Sequence, residues 1–238
     1  MTASSDAPIA TADGEPKKDA TALHLEFVAM LFALAAAEVA TESVEFAKRI
    51  RESKWQANDL AGLSHLVLSL TVIATSWVGW NASHYHGSKR SKELSVFSLD
   101  FIEMLLDVVL VIVYFLLVKN AEQPDTNGAV VPAFRCDAMY IAVILLLYFL
   151  WDCVSKCEKF AMEIKRIAIS LACFLLAVAA IYCTRDTAET LWSTLAMNVS
   201  LLSLMLLFRA WKSYRYGWVC VTTIGMIVSL TATIWLGS

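Results

Sequence analysis

Hydrophobic residues in this chain fall into seven long blocks, and short polar stretches separate the blocks. The blocks lack the strict alternation of a half-buried strand, and most approach the roughly 20 apolar residues that an α-helix needs to cross a bilayer. The blocks that predict spanning helices are 23–47, 60–83, 97–118, 136–154, 167–183, 191–210 and 218–236. We therefore predict an all-α, polytopic transmembrane helix bundle with seven spanning helices. The outer half of the first block is rich in Glu, so the alternative is that this block lies on the membrane surface. The bundle would then have six spanning helices.

The first 21 residues differ from everything that follows. They are small and polar, contain Pro8 and Pro16, and have no apolar run behind a basic start that would mark a cleavable signal. We expect residues 1–21 to be a disordered tail and residues 22–238 to form a single transmembrane helical domain. The other two prolines lie in the connection 119–135, so no predicted helix carries a proline kink, which weighs against transporters built from broken helices.

Composition supports a lipid environment and argues against nucleic acid as a partner. Hydrophobic residues make up 58% of the chain and charged residues 17%, whereas soluble domains carry about 25% charged residues. The net charge is −3, and the short basic runs lie beside hydrophobic blocks, where they set topology. Twelve Lys and Arg residues fall on the side of the N-terminus and seven on the other, although the cluster 48–54 opposes this bias. We expect a plasma or inner membrane protein with its N-terminus cytoplasmic and its C-terminus outside.

Three carboxylates, Asp100, Glu103 and Asp107, recur on one face of the third block. Residues 108–118 are too few to cross a bilayer, so Asp107 must lie inside the membrane if this block spans it. No Lys or Arg lies in the middle of any block, so we expect no ion pair for Asp107 within the membrane. A carboxylate in that position takes up a proton, binds a mobile cation or ties helices by hydrogen bonds. The polar neighbours expected for it include Ser76, Asn81 and Asn198.

The first block carries a second acidic row. Glu38, Glu42 and Glu45 share one face, and Glu26 lies near the opposite end of the block. We expect Glu42 and Glu45 to form a solvated turn with the basic residues at 48 and 49. Together the acids predict a transport pathway with outer (Glu38), central (Asp107) and inner (Glu103, Asp100, Glu26) levels.

Histidines and cysteines add little chemistry. His84 and His86 end the second block and titrate near neutral pH, so they are either pH-sensing groups or solvated interfacial histidines. Their spacing of two residues does not place both rings on one helix face, so we predict no metal site. We expect His65 to be packed or hydrogen-bonded. The six cysteines lack the spacing of a disulfide scaffold and are read as packing residues.

Function is predicted from the acids. The primary hypothesis is movement of cations or protons through an acid-lined bundle, as a monomer or a homo-oligomer. The alternative is a non-conducting interaction or effector subunit that acts through helix packing and basic cytoplasmic loops. A third hypothesis is an intramembrane enzyme that uses His84 or Asp100. The chain has no phosphate-binding Gly loop, no Gly-x-Ser-x-Gly and no HExxH motif. Its last block has no lysine that could hold retinal as a Schiff base, as in seven-helix retinal proteins. We therefore expect neither an enzyme nor a cofactor.

Overall fold

The computed structural model describes residues 20–53, 55–85, 99–120, 134–155 and 160–238. Within these ranges the chain forms α-helices and no strand. The helices are α1 (Ala20–Ser53), α2 (Asp59–Tyr85), α3 (Leu99–Lys119), α4 (Phe134–Ser155), α5 (Phe160–Cys183), α6 (Leu191–Lys212) and α7 (Tyr216–Gly237). All seven are long and apolar enough to cross a membrane, α1 included. The prediction of an all-α, multi-pass membrane protein with seven spanning helices is confirmed.

The N-terminal boundary differs slightly from the expected one. Helix α1 begins at Ala20, so residues 20 and 21 of the predicted tail already belong to it. The remainder of the predicted tail, 1–19, lies outside the described residues.

Cross-bundle contacts show that alternate helices run in the same direction and consecutive helices in opposite directions. His65 and Asp137 meet near the starts of α2 and α4, and Asp152 and Lys212 meet near the ends of α4 and α6. Trp80 near the end of α2 meets Asp107 in the first half of α3. We call the end of the bundle where α1 begins the N face, and the end where α7 finishes the C face. Helix α6 packs against α2, α4, α5 and α7, and α3 packs against α1, α2 and α4. Helices α2, α3, α4 and α6 therefore form the centre, with α1 and α7 at the periphery.

Both the buried and the exposed sides of the helices are apolar. On α3, Tyr114 and Leu117 are fully buried, whereas Ile112 and Leu116 are about half exposed. Lipid tails are as apolar as a leucine side chain, so an outward isoleucine is as favourable as an inward one. Close packing rather than hydrophobicity therefore selects the face that joins the core.

Helix ends are closed by local hydrogen bonds. Thr190 and Ser193 form a reciprocal capping box at the start of α6. At the end of α6 the amide of Arg215 donates to the carbonyl of Ala210 and that of Tyr214 to Trp211, which is a Schellman motif. Tyr214 occupies the left-handed position of this motif with φ 55°, where glycine is the usual residue.

Replacing Tyr214 by glycine should stabilise the protein by about 0.5–1 kcal/mol. The left-handed conformation costs an L-residue about 1–2 kcal/mol, and the greater freedom of glycine in the unfolded chain offsets part of the gain. The measurement is the free energy of unfolding in mixed micelles. Val221→Gly is the control, because Val221 is also exposed but lies in the interior of α7, where glycine should destabilise. Equal losses in the two variants would contradict the prediction.

Candidate functional site

Asp107 lies inside the bundle, as its sequence position predicts. Its exposed fraction is 3%, and it lies about 12 Å along α3 from Leu99. The indole Nε1 of Trp80 on α2 donates a hydrogen bond to Asp107 Oδ2 over 3.2 Å. A carboxylate is therefore held at the junction of α2 and α3.

Aromatic side chains cover this carboxylate on the side of α1. Trp77 and Trp80 stack with ring centroids 5.5 Å apart, and Phe32 of α1 packs against both rings. Phe32 also contacts Tyr114, at 5.9 Å between centroids. Helix α1 thus separates the Trp80–Asp107 hydrogen bond from the surrounding lipid.

Three buried hydroxyl groups from three helices meet near the same level, and we call Ser76, Tyr114 and Tyr148 the hydroxyl cluster. Tyr148 donates to Ser76 Oγ over 2.5 Å, and the hydroxyls of Tyr148 and Tyr114 are 2.9 Å apart. Ser76 lies one turn from Trp80 and donates to the carbonyl of Val72 over 2.6 Å. Its hydrogen bonds therefore join the cluster rather than Asp107, the neighbour expected from the sequence.

Arg209 of α6 reaches the hydroxyl cluster. Its Nη2 donates to the Tyr148 hydroxyl over 2.7 Å, and its guanidinium carbon lies 4.9 Å from the Tyr148 ring centroid and 5.2 Å from that of Phe208. The guanidinium also occupies the space where Gly79 of α2 would carry a Cβ atom.

The sequence pattern did not predict Arg209 beside the hydroxyl cluster, because no Lys or Arg lies in the middle of any hydrophobic block. Arg209 lies three residues before the end of α6, which places its backbone near the membrane edge. Helical side chains lean toward the helix N-terminus, and here that direction points into the bundle. The long side chain therefore carries its charge deeper into the bundle than its Cα. The position of Arg209 near the end of the sixth block, together with this direction, was the signal available in the sequence.

Two buried titratable side chains, His65 and Asp137, form a pair toward the C face. His65 Nδ1 is 2.9 Å from Asp137 Oδ2, and the two residues are 5% and 3% exposed. Asn120 donates to the other oxygen of Asp137 over 2.9 Å. Ser69 Oγ lies 3.4 Å from His65 Nε2. The expectation of a hydrogen-bonded His65 is confirmed, whereas Asp137 was not singled out because nothing local marks it as its partner.

The acids of α1 have a basic partner on another helix. Lys119, at the end of α3, lies 2.6 Å from Glu38 and 2.5 Å from Glu42. Glu42 is buried, so the prediction that it belongs to a solvated turn is wrong, whereas Glu45 is exposed. The packing of α1 against α3 decides this, because it brings the end of α3 over the glutamate face.

A further acid–base pair closes the N face. Asp152 is 1% exposed and lies 2.6 Å from Lys212 Nζ, and it also accepts a hydrogen bond from Ser170. These contacts join α4, α5 and α6.

The remaining predicted residues are spread over the molecule. Glu103 and Asn81 are half-buried near Asp107 and Trp80, and Glu26 is exposed near the start of α1. Asn198 donates to Ser64 over 2.8 Å, in the C-face half of the bundle. The side chains of Asp100 and His84 and the whole of His86 lie outside what the structure describes.

An apolar layer separates the hydroxyl cluster from the His65–Asp137 pair. Ser69 and Ser76 face the same side of α2 but lie seven residues apart, which is about 10 Å. The buried side chains between the two polar groups include Val72 and Ile73 on α2 and Ile141 and Leu145 on α4. The buried polar groups therefore form two sets, one in each half of the bundle.

Among the described residues, no group of three or more His, Cys, Asp or Glu side chains is arranged to hold a metal ion. Comparison of the chain with known protein families, curated proteins and solved structures finds no match.

Proposed function

We propose that the protein moves protons across a membrane through the centre of its helix bundle. One observation supports this above others. Titratable groups are buried in both halves of the bundle, Asp107 toward the N face and His65 with Asp137 toward the C face, and hydroxyl groups lie between them. Carboxylates and imidazoles at membrane depth are the groups that proton relays use.

The geometry favours protons over hydrated metal ions. Distances of 2.5 and 2.9 Å between the oxygens of the hydroxyl cluster leave no space for an ion between them. A proton needs no such space, because each hydroxyl can accept one proton and release another. Asp107 of α3 is hydrogen-bonded to Trp80, which lies one turn from Ser76 on α2 in the direction of the N face. It is therefore the acid best placed to exchange protons with that face.

The apolar layer is the hydrophobic constriction that blocks the proposed proton pathway in this structure. Val72, Ile73, Ile141 and Leu145 supply no hydrogen-bonding side chain over about 10 Å. Apolar constrictions of this kind control conduction by excluding water, so movement of protons requires transient wetting of this layer. We propose that the N face, and with it the N-terminus, lies on the cytoplasmic side of a plasma or inner membrane; the excess of Lys and Arg on that side supports this orientation.

Asp107→Asn should lower proton flux at least about tenfold. The amide keeps the size and the acceptor oxygen of the carboxylate but cannot take up a proton at neutral pH. The full chain is reconstituted into liposomes that contain a pH-sensitive dye, and a potassium diffusion potential drives proton uptake. The matched control is Asp186→Asn, since Asp186 lies in the turn between α5 and α6 and its side chain is 86% exposed. Its flux should equal that of the wild type.

Two results would count against this proposal in different ways. Wild-type flux no greater than that of protein-free liposomes would overturn proton movement. Equal flux in the wild type and Asp107→Asn would remove Asp107 from the pathway while leaving proton movement in place.

A non-conducting interaction subunit is the second candidate, and α1 favours it. Ala33, Ala36, Ala37 and Ala40 are exposed on the side of α1 that faces away from the bundle. Small residues allow helix backbones to approach closely within membranes, so this side suits another helix, including that of a second copy. This candidate predicts no flux in liposomes and a stable partner after gentle purification.

A further inference from the structure

We propose that Arg209 is the residue that makes the pathway selective for protons over metal cations. This inference rests on the proposed proton movement and assigns the selectivity to one side chain. The sequence-based pathway consisted of acids alone, whereas the structure introduces a fixed positive charge beside the hydroxyl cluster.

Arg209 differs from the other basic side chains that reach buried acids. Lys212 lies 2.6 Å from Asp152, and Lys119 lies within 2.6 Å of two glutamates, so carboxylates offset both charges. Among the described residues no carboxylate lies within 4.0 Å of the Arg209 guanidinium, and its buried Nε has no hydrogen-bond partner. In the part of the chain that the structure describes, its charge meets the ring faces of Tyr148 and Phe208, which Lys212 also approaches, and one hydroxyl. A positive potential therefore persists at this level.

The charge acts on the middle member of the hydroxyl cluster. Tyr148 is bonded to Tyr114 on one side and Ser76 on the other, and it accepts from Arg209 at the same oxygen. A metal cation that passes Tyr148 must bring its whole charge within a few ångströms of the guanidinium. Like charges this close in a medium of low dielectric constant repel strongly.

A proton has a route that avoids this repulsion. Tyr148 gives its proton to Ser76 Oγ while Ser76 gives its own proton to a water molecule that transiently wets the apolar layer, and Arg209 stabilises the resulting phenolate. Tyr114 then gives its proton to Tyr148, which restores the Tyr148 O–H bond, and a proton taken up from the N face by way of Asp107 and water restores the Tyr114 hydroxyl. One proton leaves and one arrives, so no second positive charge ever stands beside the guanidinium. Metal cations have no equivalent route.

Gly79 maintains this arrangement. A Cβ atom at position 79 would overlap the Arg209 guanidinium, so a side chain there would force the guanidinium to move. Glycine leaves the space that the guanidinium occupies beside Tyr148, and Phe208 covers the guanidinium from α6.

The experiment compares potassium and proton flux in liposomes for the full-length wild type, Arg209→Gln and Arg209→Lys. Wild type and Arg209→Lys should carry protons without potassium uptake above protein-free liposomes. Arg209→Gln should show at least tenfold more potassium uptake than the wild type. Arg185→Gln serves as the control, because Arg185 is exposed and its ion pair with Asp186 lies outside the helices.

A second variant guards against misfolding of Arg209→Gln. Gly79→Ala keeps the arginine but displaces its guanidinium from Tyr148, so potassium uptake should again rise above that of the wild type. If the wild type carries protons and neither variant admits potassium, the assignment of selectivity to Arg209 is overturned and proton movement stands. If the wild type carries no protons, the proposed function fails first, and this inference fails with it.

Discussion

His65→Leu is expected to lower the free energy of unfolding by about 3–5 kcal/mol. The substitution removes the imidazole that bonds Asp137 Oδ2 at 2.9 Å and leaves a carboxylate with only 3% of its surface exposed. Asn120 still donates to the other oxygen, but an amide does not neutralise the charge. The measurement is an SDS titration in mixed micelles at neutral pH, followed by tryptophan fluorescence.

Two further variants identify the buried charge as the cause. The double variant His65→Leu/Asp137→Leu should recover most of the loss, because an apolar pair of similar volume carries no desolvation penalty. Arg185→Leu removes one partner of the exposed Arg185–Asp186 pair and should change the unfolding free energy by less than about 1 kcal/mol. A double variant as unstable as His65→Leu would attribute the loss to packing instead.

Tyr114→Ala should cost about 3–5 kcal/mol of unfolding free energy. Tyr114 is fully buried, packs against Phe32 and shares a hydrogen bond with Tyr148. Truncation leaves a cavity where α1, α3 and α4 meet, and the surrounding helices can fill it only in part. The same titration in mixed micelles measures the loss.

A graded series separates the two contributions of Tyr114. Tyr114→Phe removes only the hydroxyl and should cost about 0.6–1.7 kcal/mol, which is the range for hydrogen bonds between membrane helices. Tyr182→Ala should have a small effect, since that ring is 69% exposed. Similar losses for Tyr114→Ala and Tyr182→Ala would show that the buried cavity does not govern stability here.

The helices themselves were predictable because their signal is local. Each block of apolar residues contains enough information to identify a spanning helix, and the predicted and observed ends agree within a few residues for most helices. The seven-residue extension of α5 toward the N face is the largest difference. Polar residues at helix starts continue a helix as readily as they end one, so the hydrophobic pattern places such a boundary poorly.

The depth of Asp107 was predictable for the same reason. The length of the apolar run that follows it places it inside the bundle, and its 3% exposure agrees. Its neighbours were not predictable. Ser76 bonds Tyr148, and Asn198 bonds Ser64. One residue that donates to Asp107 is Trp80, which was not among the neighbours expected from the sequence.

By itself the sequence determined that this is a membrane protein of seven helices with a carboxylate at depth, because hydrophobicity and helix rise act within one segment. Only the tertiary structure decided which charges meet. His65 and Asp137 are 72 residues apart, Glu42 and Lys119 are 77 apart, and Arg209 reaches across to α2 and α4. The physical reason is that the lipid-facing and inward-facing sides of these helices are equally apolar. Hydrophobicity therefore does not select the rotation of each helix, whereas packing and the pairing of buried polar groups do.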